Sequence, residues 1–329
     1  MNSSYINSKV IPRGSDIEDF ILKLEPSSFT QMGGNIGVTD LSEVIKKVLQ
    51  GTSDSTVSIL VSDLIFSPGK GKNAEEYLVN QQIGIKSRVS EHLSKFPQHS
   101  VIVYQLSSKF AGSFYDKNDT PYSYTGNRPY YILIVGHNDH LAKLTEKCPS
   151  AKFKGDGIVN TFAISVKNDG VNYAIQHGSG NFSLDKKSSS NSIIKAKKDT
   201  KGSGEKLLRF NVNVDFSNLL CDDAYLLDAN KYELSDKDYQ IEISKSKQKK
   251  QFTHILKLSS GIVKPTSLHI KLKSTLPSWI EEINDNDGIG INGTNSLKTY
   301  GIKYLLSGIY EAYTKDGEVY SELVVNINK

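Results

Sequence analysis

SVIVYQLSSKFAGSFYDKNDTPYSYTGNRPYYILIVG, residues 100–136, opens and closes on apolar runs around a polar, aromatic interior. The two ends, 100–106 and 129–136, read as strands of near-continuous apolarity. Such runs suit strands covered on both faces, as in a parallel sheet. The interior reads as a loop that is unusually aromatic, with Phe110, Phe114, Tyr115, Tyr122, Tyr124 and Tyr130. Arg128, just ahead of Pro129, has the planar fork that anchors a carboxylate by two parallel bonds, and Asp116 is the candidate partner. Phe110, Phe114, Tyr115, Arg128 and Tyr130 are therefore candidate partner-binding residues. The other reading of the same loop is a cover for the sheet edge.

Working outward, the segments before it alternate between the helical and the strand period. SDIEDFILKL places Ile17, Phe20, Ile21 and Leu24 on one helical face, with Ser15 or Asp16 as cap. TDLSEVIKKVLQG puts Leu41, Val44, Ile45, Val48 and Leu49 on another, with Asp40 and Glu43 at capping-box spacing and Gly51 as the stop. VSILVSDLIFSPG, 57–69, is a strand that ends on Asp63, and residues 73–96 read as a long helix weakened at Gly84. NDHLAKLTEK adds a short helix after the last strand. This rhythm predicts an α/β domain over residues 1–150, Rossmann-like and mostly parallel.

Beyond about residue 150 the pattern changes to short alternating strands, among them LLRFNVNVDF, FTHILKLS, TSLHIKLKS and VYSELVVNIN. These predict a β-rich, sandwich-like domain over 151–329, with a mobile Lys/Ser-rich loop at about 185–206. One late helix interrupts it, with Ile302, Leu305, Leu306, Ile309, Tyr310 and Tyr313 at helical spacing. The 329 residues carry 40 basic and 36 acidic side chains, largely interspersed, so no global field for nucleic acid is implied. No apolar run is long enough for a membrane helix, and the N-terminus lacks the apolar core of a signal peptide, which favours the cytoplasm. Cys148 and Cys221 read as two buried or idle thiols, with one disulfide as the alternative in an oxidising compartment.

Asp63 stands where ligands bind in open α/β sheets, and GGNIGVTD, 33–40, sets Thr39 and Asp40 at a helix start behind a glycine loop. Read alone, Asp63 caps a turn and Asp40 caps a helix. Together, GNIGVTDLSEVIKKVL and STVSILVSDLIFSPG resemble the central part of a von Willebrand factor A-like domain, over roughly residues 15–145. The resemblance implies that Thr39 and Asp63 are members of a metal-ion-dependent adhesion site that holds magnesium and receives a carboxylate from a partner. No Asp-x-Ser-x-Ser element precedes Thr39, and Leu64 follows Asp63 where the family has Gly. Either the first strand precedes this chain or the site is degenerate. SxFxGxxYD followed by RPxY, here 108–116 and 128–131, is similar to a subgroup of bacterial A-domain-like proteins.

The remaining motifs are weaker. His137 and His140 lack a third ligand nearby and read as surface residues. HGSGN lacks the nucleophile-elbow frame, and NDNDG misses EF-hand spacing. The functional expectation is a non-enzymatic protein-binding or scaffold subunit of a bacterial multi-protein system. A metal-dependent phosphoester hydrolase built on Asp63, His137 and His140 is the alternative. Nucleic-acid binding through the Lys-rich segments 186–206 and 245–250 is a third.

Overall fold

An N-terminal hairpin that the sequence reading did not contain, β1 (Ser3–Ile6) and β2 (Val10–Gly14), opens the chain. The computed structural model describes residues 2–25, 40–69, 71, 73–155, 157–185, 191–199, 206–247 and 251–329. The chain separates into two units, Met1–Ala163 with Leu276–Tyr313, and Ile164–Thr275 with Thr314–Lys329.

In the first unit, helix α1 (Ile17–Leu22) starts where Asp16 accepts the Asp19 N–H at 3.0 Å. Helix α2 (Leu41–Gln50) starts where Asp40 accepts the Glu43 N–H at 3.0 Å. Glu43 does not complete a capping box; its carboxylate pairs with Arg88 instead. Strand β3 (Ser58–Ser62) follows, then helix α3 (Ala74–Lys95). Gly84 in α3 is a contact point: a Cβ there would lie 2.6 Å from the Ser42 hydroxyl of α2. The helical glycine that costs intrinsic stability thus allows two helices to approach closely.

The 100–136 stretch is one long hairpin. Strands β4 (His99–Tyr115) and β5 (Pro121–His137) pair antiparallel from His99↔His137 to Tyr115↔Pro121. Strand β3 also runs antiparallel to β5, from Ser58↔Val135 to Ser62↔Tyr131. With β6 (Ile158–Ile164) the sheet order is β3-β5-β4-β6. The mostly parallel, Rossmann-like sheet expected from the sequence, and implied by the von Willebrand factor A resemblance, is therefore not the fold. Every residue from His99 to Leu106 is buried, so the apolar run reports cover on both faces and says nothing about strand direction. Only the turn at 116–120 separates the two strands, too short for the crossover that parallel neighbours require. Helix α4 (Asn138–Lys147) packs against β4 and β5. Helix α5 (Ile302–Tyr313) packs on α3 and belongs to this first unit, with all six residues of its predicted stripe buried.

The second unit holds two sheets. Strands β7 (Tyr173–Ile175), β8 (Ser183–Leu184), β9 (Ser192–Ile194), β10 (Leu208–Val214), β11 (Tyr232–Leu234), β12 (Tyr239–Lys245), β13 (His254–Ser260), β14 (Thr266–Lys273) and β15 (Val319–Ile327) form them. The orders are β12-β13-β10-β7 and β11-β14-β15-β9-β8. All pairings are antiparallel except β15 with β9. Leu208, Phe210, Val212 and Val214 alternate inward on β10, as Leu268, Ile270 and Leu272 do on β14. The Tyr173 hydroxyl ties the two sheets: it donates to the Val324 carbonyl at 2.9 Å and accepts the Val324 N–H at 3.1 Å. Part of the predicted Lys/Ser-rich loop is strand β9, anchored by fully buried Ile193, while 186–190 and 200–205 lie outside the described residues.

Candidate functional site

The outer half of the β4–β5 hairpin is an arm. Strand β3 pairs with β5 only as far as Tyr131, so among the described residues no strand covers the outer edge of β5 from Pro121 to Tyr130. Alternation puts Phe110 and Phe114 of β4 on the same face as Tyr122, Tyr124, Arg128 and Tyr130 of β5. The opposite face carries Lys109, Ala111, Ser113, Tyr115, Ser123, Thr125 and Asn127, all exposed. The aromatic "loop" of the sequence reading is thus a ribbon with one aromatic face. Tyr115, a predicted binding residue, is the exception: it is 57% exposed on the polar face.

The aromatic face is concave. Arg128 sits opposite Ser108, six positions from Phe114 along β4. In a straight ribbon those positions are about 20 Å apart. Yet the guanidinium lies 4.7 Å from the Phe114 ring centroid. Two long side chains cannot span the straight distance, so the ribbon curls. Gly112 and Gly126 lie on the curled face. The Phe110 ring lies against Gly112, and a Cβ on Gly126 would run into the Tyr124 hydroxyl. Phe110 and Tyr124 stack with centroids 6.4 Å apart.

Arg128 does not bind Asp116. It is 8% exposed and donates to the main-chain carbonyls of Ser296 at 2.8 Å and Lys298 at 3.3 Å. Asp116 closes the tip of the arm. Its carboxylate accepts the N–H groups of Asn118 at 2.9 Å and Thr120 at 3.0 Å, and contacts the Tyr122 hydroxyl and the Gly290 N–H at 3.4 Å. Burial raises the Asp116 pKa, but the Thr120, Asn118 and Gly290 amides together bring it below the ordinary carboxylate value. Lys117 N–H donates to the Gly288 carbonyl at 2.9 Å. The segment 288–298 thus grips the arm at both tip and base, and nothing in GIGINGTNSLK marks it for that role. The groups this segment contributes are backbone N–H and C=O groups, which any sequence supplies.

Asp63 leaves β3 one position past Ser62↔Tyr131, beside Tyr130. Asp63 keeps exposed surface, and partial desolvation by the atoms packed around it raises its pKa. The Ile65 N–H, the Arg128 charge and the Ser62 hydroxyl oppose that rise. Leu64 then takes a left-handed φ of 52° with its side chain 1% exposed. The chain turns there because the buried Leu64 and Phe66 hold it.

Thr39, the other member of the predicted metal pair, lies outside the described residues. Among the described residues no three His, Cys, Asp or Glu side chains converge as a metal-holding group. Asp63 has a guanidinium as its principal charged neighbour. The hydrolase constellation is not assembled either. His137 lies seven positions along β5 from Tyr130, so Asp63 and His137 are about 24 Å apart along the strand. No helix of the described residues is long and apolar enough to cross a membrane, and both Cys148 and Cys221 are free thiols.

In comparisons with known proteins, no family model, no curated protein and no solved structure matches the chain.

Proposed function

We propose that this chain is a non-enzymatic binding or scaffold protein whose β4–β5 arm holds an extended segment of a protein partner. The observation that carries this reading is the curled ribbon, which pairs an aromatic concave face with a backbone edge that no strand of the described residues covers. An edge strand offers a row of N–H and C=O groups to an incoming strand, and side-chain pockets beside it give selectivity. Pro121 and Pro129 bracket that edge and have no N–H to offer, which confines the pairing stretch to Tyr122–Arg128. Phe110, Phe114, Tyr122, Tyr124 and Tyr130 are half-buried, so each has ring surface left for contact.

The test is site-specific photo-crosslinking in cells of the host. A photoreactive residue replaces Tyr124 in one version and Ile262, exposed in the second unit, in another. The reading expects one protein adduct from the arm probe, lost with Phe110→Ser and not formed by the Ile262 probe. Equal adducts from both probes, or none from the arm, would sink it.

A further inference from the structure

At the other end of the hairpin, four of the seven histidines gather: His92 near the end of α3, His99 at the start of β4, His137 at the end of β5 and His140 in α4. His92 Nε2 and His99 Nδ1 are 2.9 Å apart, and both residues are buried. His99 Nε2 lies 3.2 Å from the Asp54 carboxylate, and Phe96 stacks on the His99 ring at 4.8 Å. His137 Nε2 lies 2.7 Å from the Gln98 side-chain oxygen. His137 Nδ1 accepts the Asp139 N–H at 3.2 Å and so caps α4. His140 Nε2 lies 3.0 Å from the Asp54 carbonyl.

We propose that this histidine cluster is an acid-sensitive latch that fastens α3 and α4 to the base of the arm and releases them on protonation.

The hydrogen-bond network sets the tautomers. His99 gives its Nε2 proton to Asp54, so its Nδ1 accepts from His92 Nε2–H. Burial holds His99 below the ordinary histidine value although Asp54 opposes it, so a first proton there is already disfavoured and requires His92 to switch to the accepting role. A second turns two donors on each other at the same short distance in a buried site, and the contact must open. His137 serves α4 through its acceptor nitrogen. Its Nδ1 must be bare to accept the Asp139 N–H, so protonation removes the cap and places a positive charge at the N-terminus of α4.

The surrounding charges do not rescue the closed state. Lys95 of α3 adds repulsion at His92, and Asp54 is the main opposing charge at both buried rings. Glu91 is engaged by Lys95 at 2.8 Å. Asp139 of α4 is 3.9 Å from His137 Nδ1. From α5 the Tyr313 hydroxyl reaches in, donating to the His99 carbonyl at 3.2 Å. Burial, then the His99 and Lys95 charges, hold His92 down to about 4 while the latch is closed. An exposed histidine titrates at about 6.5. The open state therefore binds more protons between those values, so the closed state is fully favoured above that window and loses ground as pH falls through it.

The test is amide hydrogen exchange at pH 7.5 and pH 5.0, expressed as protection factors so that intrinsic rates cancel. Protection over 89–99 and 137–147 is expected to fall by at least about tenfold at the lower pH, while that of β10 is unchanged. His92→Gln can still donate to His99 but takes no proton, and His137→Asn can still cap α4. The double variant keeps only His99 of the buried pair and is expected to lose clearly less protection than wild type. An equal loss in the double variant, or no local loss in wild type, overturns the latch. Histidine ring NMR on the wild-type chain gives a reading that needs no variant. Lost protection that tracks protonation of His92 or His137 supports the proposal; ring protonation with protection unchanged refutes it.

Discussion

Arg128 and Phe114 touch across the concave face of the arm, 4.7 Å from guanidinium carbon to ring centroid, although six register positions separate them. That contact cannot exist on a straight ribbon, so it measures the curl. It also explains why Arg128 tolerates burial without an ion pair among the described residues. The ring covers its flat face, two carbonyls take its N–H groups, and the Asp63 charge favours its charged form. The same side chain shapes the proposed binding face and ties it to the 288–298 segment.

Arg128→Lys is expected to destabilise the first unit by about 2 kcal/mol, because an ammonium can neither stack flat on Phe114 nor reproduce the guanidinium's donor fork. Urea unfolding measures the loss, and hydrogen exchange should localise it to 116–122 and 288–298. Wild-type stability in this variant would show that the guanidinium does not hold the arm.

Gly126→Ala puts a methyl group where the Tyr124 hydroxyl lies. The ring must swing away, with an expected cost of about 1 kcal/mol. Removing the ring with Tyr124→Ala should make the Gly126 substitution harmless. A double-mutant cycle in chemical denaturation is expected to return a coupling of about 1 kcal/mol, and additivity would contradict the close contact.

Leu64 sets two effects against each other. Leu64→Gly relieves a left-handed backbone, worth about 1–2 kcal/mol for a non-glycine residue. It also deletes a buried leucine side chain, which costs about 2–5 kcal/mol. Packing should win, so the variant is expected to unfold at lower temperature than wild type. A raised melting temperature would mean that the backbone strain dominates.

Asp63 titrates in the direction that weakens the folded state at neutral pH. Its folded pKa is raised, so its contribution favours folding below the unfolded value and is lost as pH rises through the folded one. Asp63→Asn is therefore expected to raise the melting temperature at pH 7, with the gain vanishing below about pH 3.9. Calorimetric titration with magnesium or manganese is expected to show no heat in wild type; heat that disappears in Asp63→Asn would support the cation reading.

Much of the local structure was legible. Asp16, Asp40 and Gly51 mark helix ends because a cap is chemistry between neighbours in the chain. The stripe from Ile302 to Tyr313 predicted a helix, and Asp63 falls just beyond its strand as read. The candidate site was legible as composition only. Phe110, Phe114, Arg128 and Tyr130 were visible as an aromatic, arginine-bearing stretch, but not as one face of a strand pair. Their polar spacers, Ser113, Ser123 and Thr125, resemble loop residues because an exposed ribbon face has nothing to pack against.

The sequence by itself determined where helices begin, which residues are apolar enough to be buried, and that residues 100–136 hold two strands and a cluster of rings. Tertiary structure alone decided that those strands run antiparallel, that the ribbon curls, and that His92 and His99 meet in the interior. An apolar run reports burial on both faces and carries no direction. A curl held by Arg128 on the carbonyls of Ser296 and Lys298 depends on acceptors that every residue possesses, so no residue identity announces them.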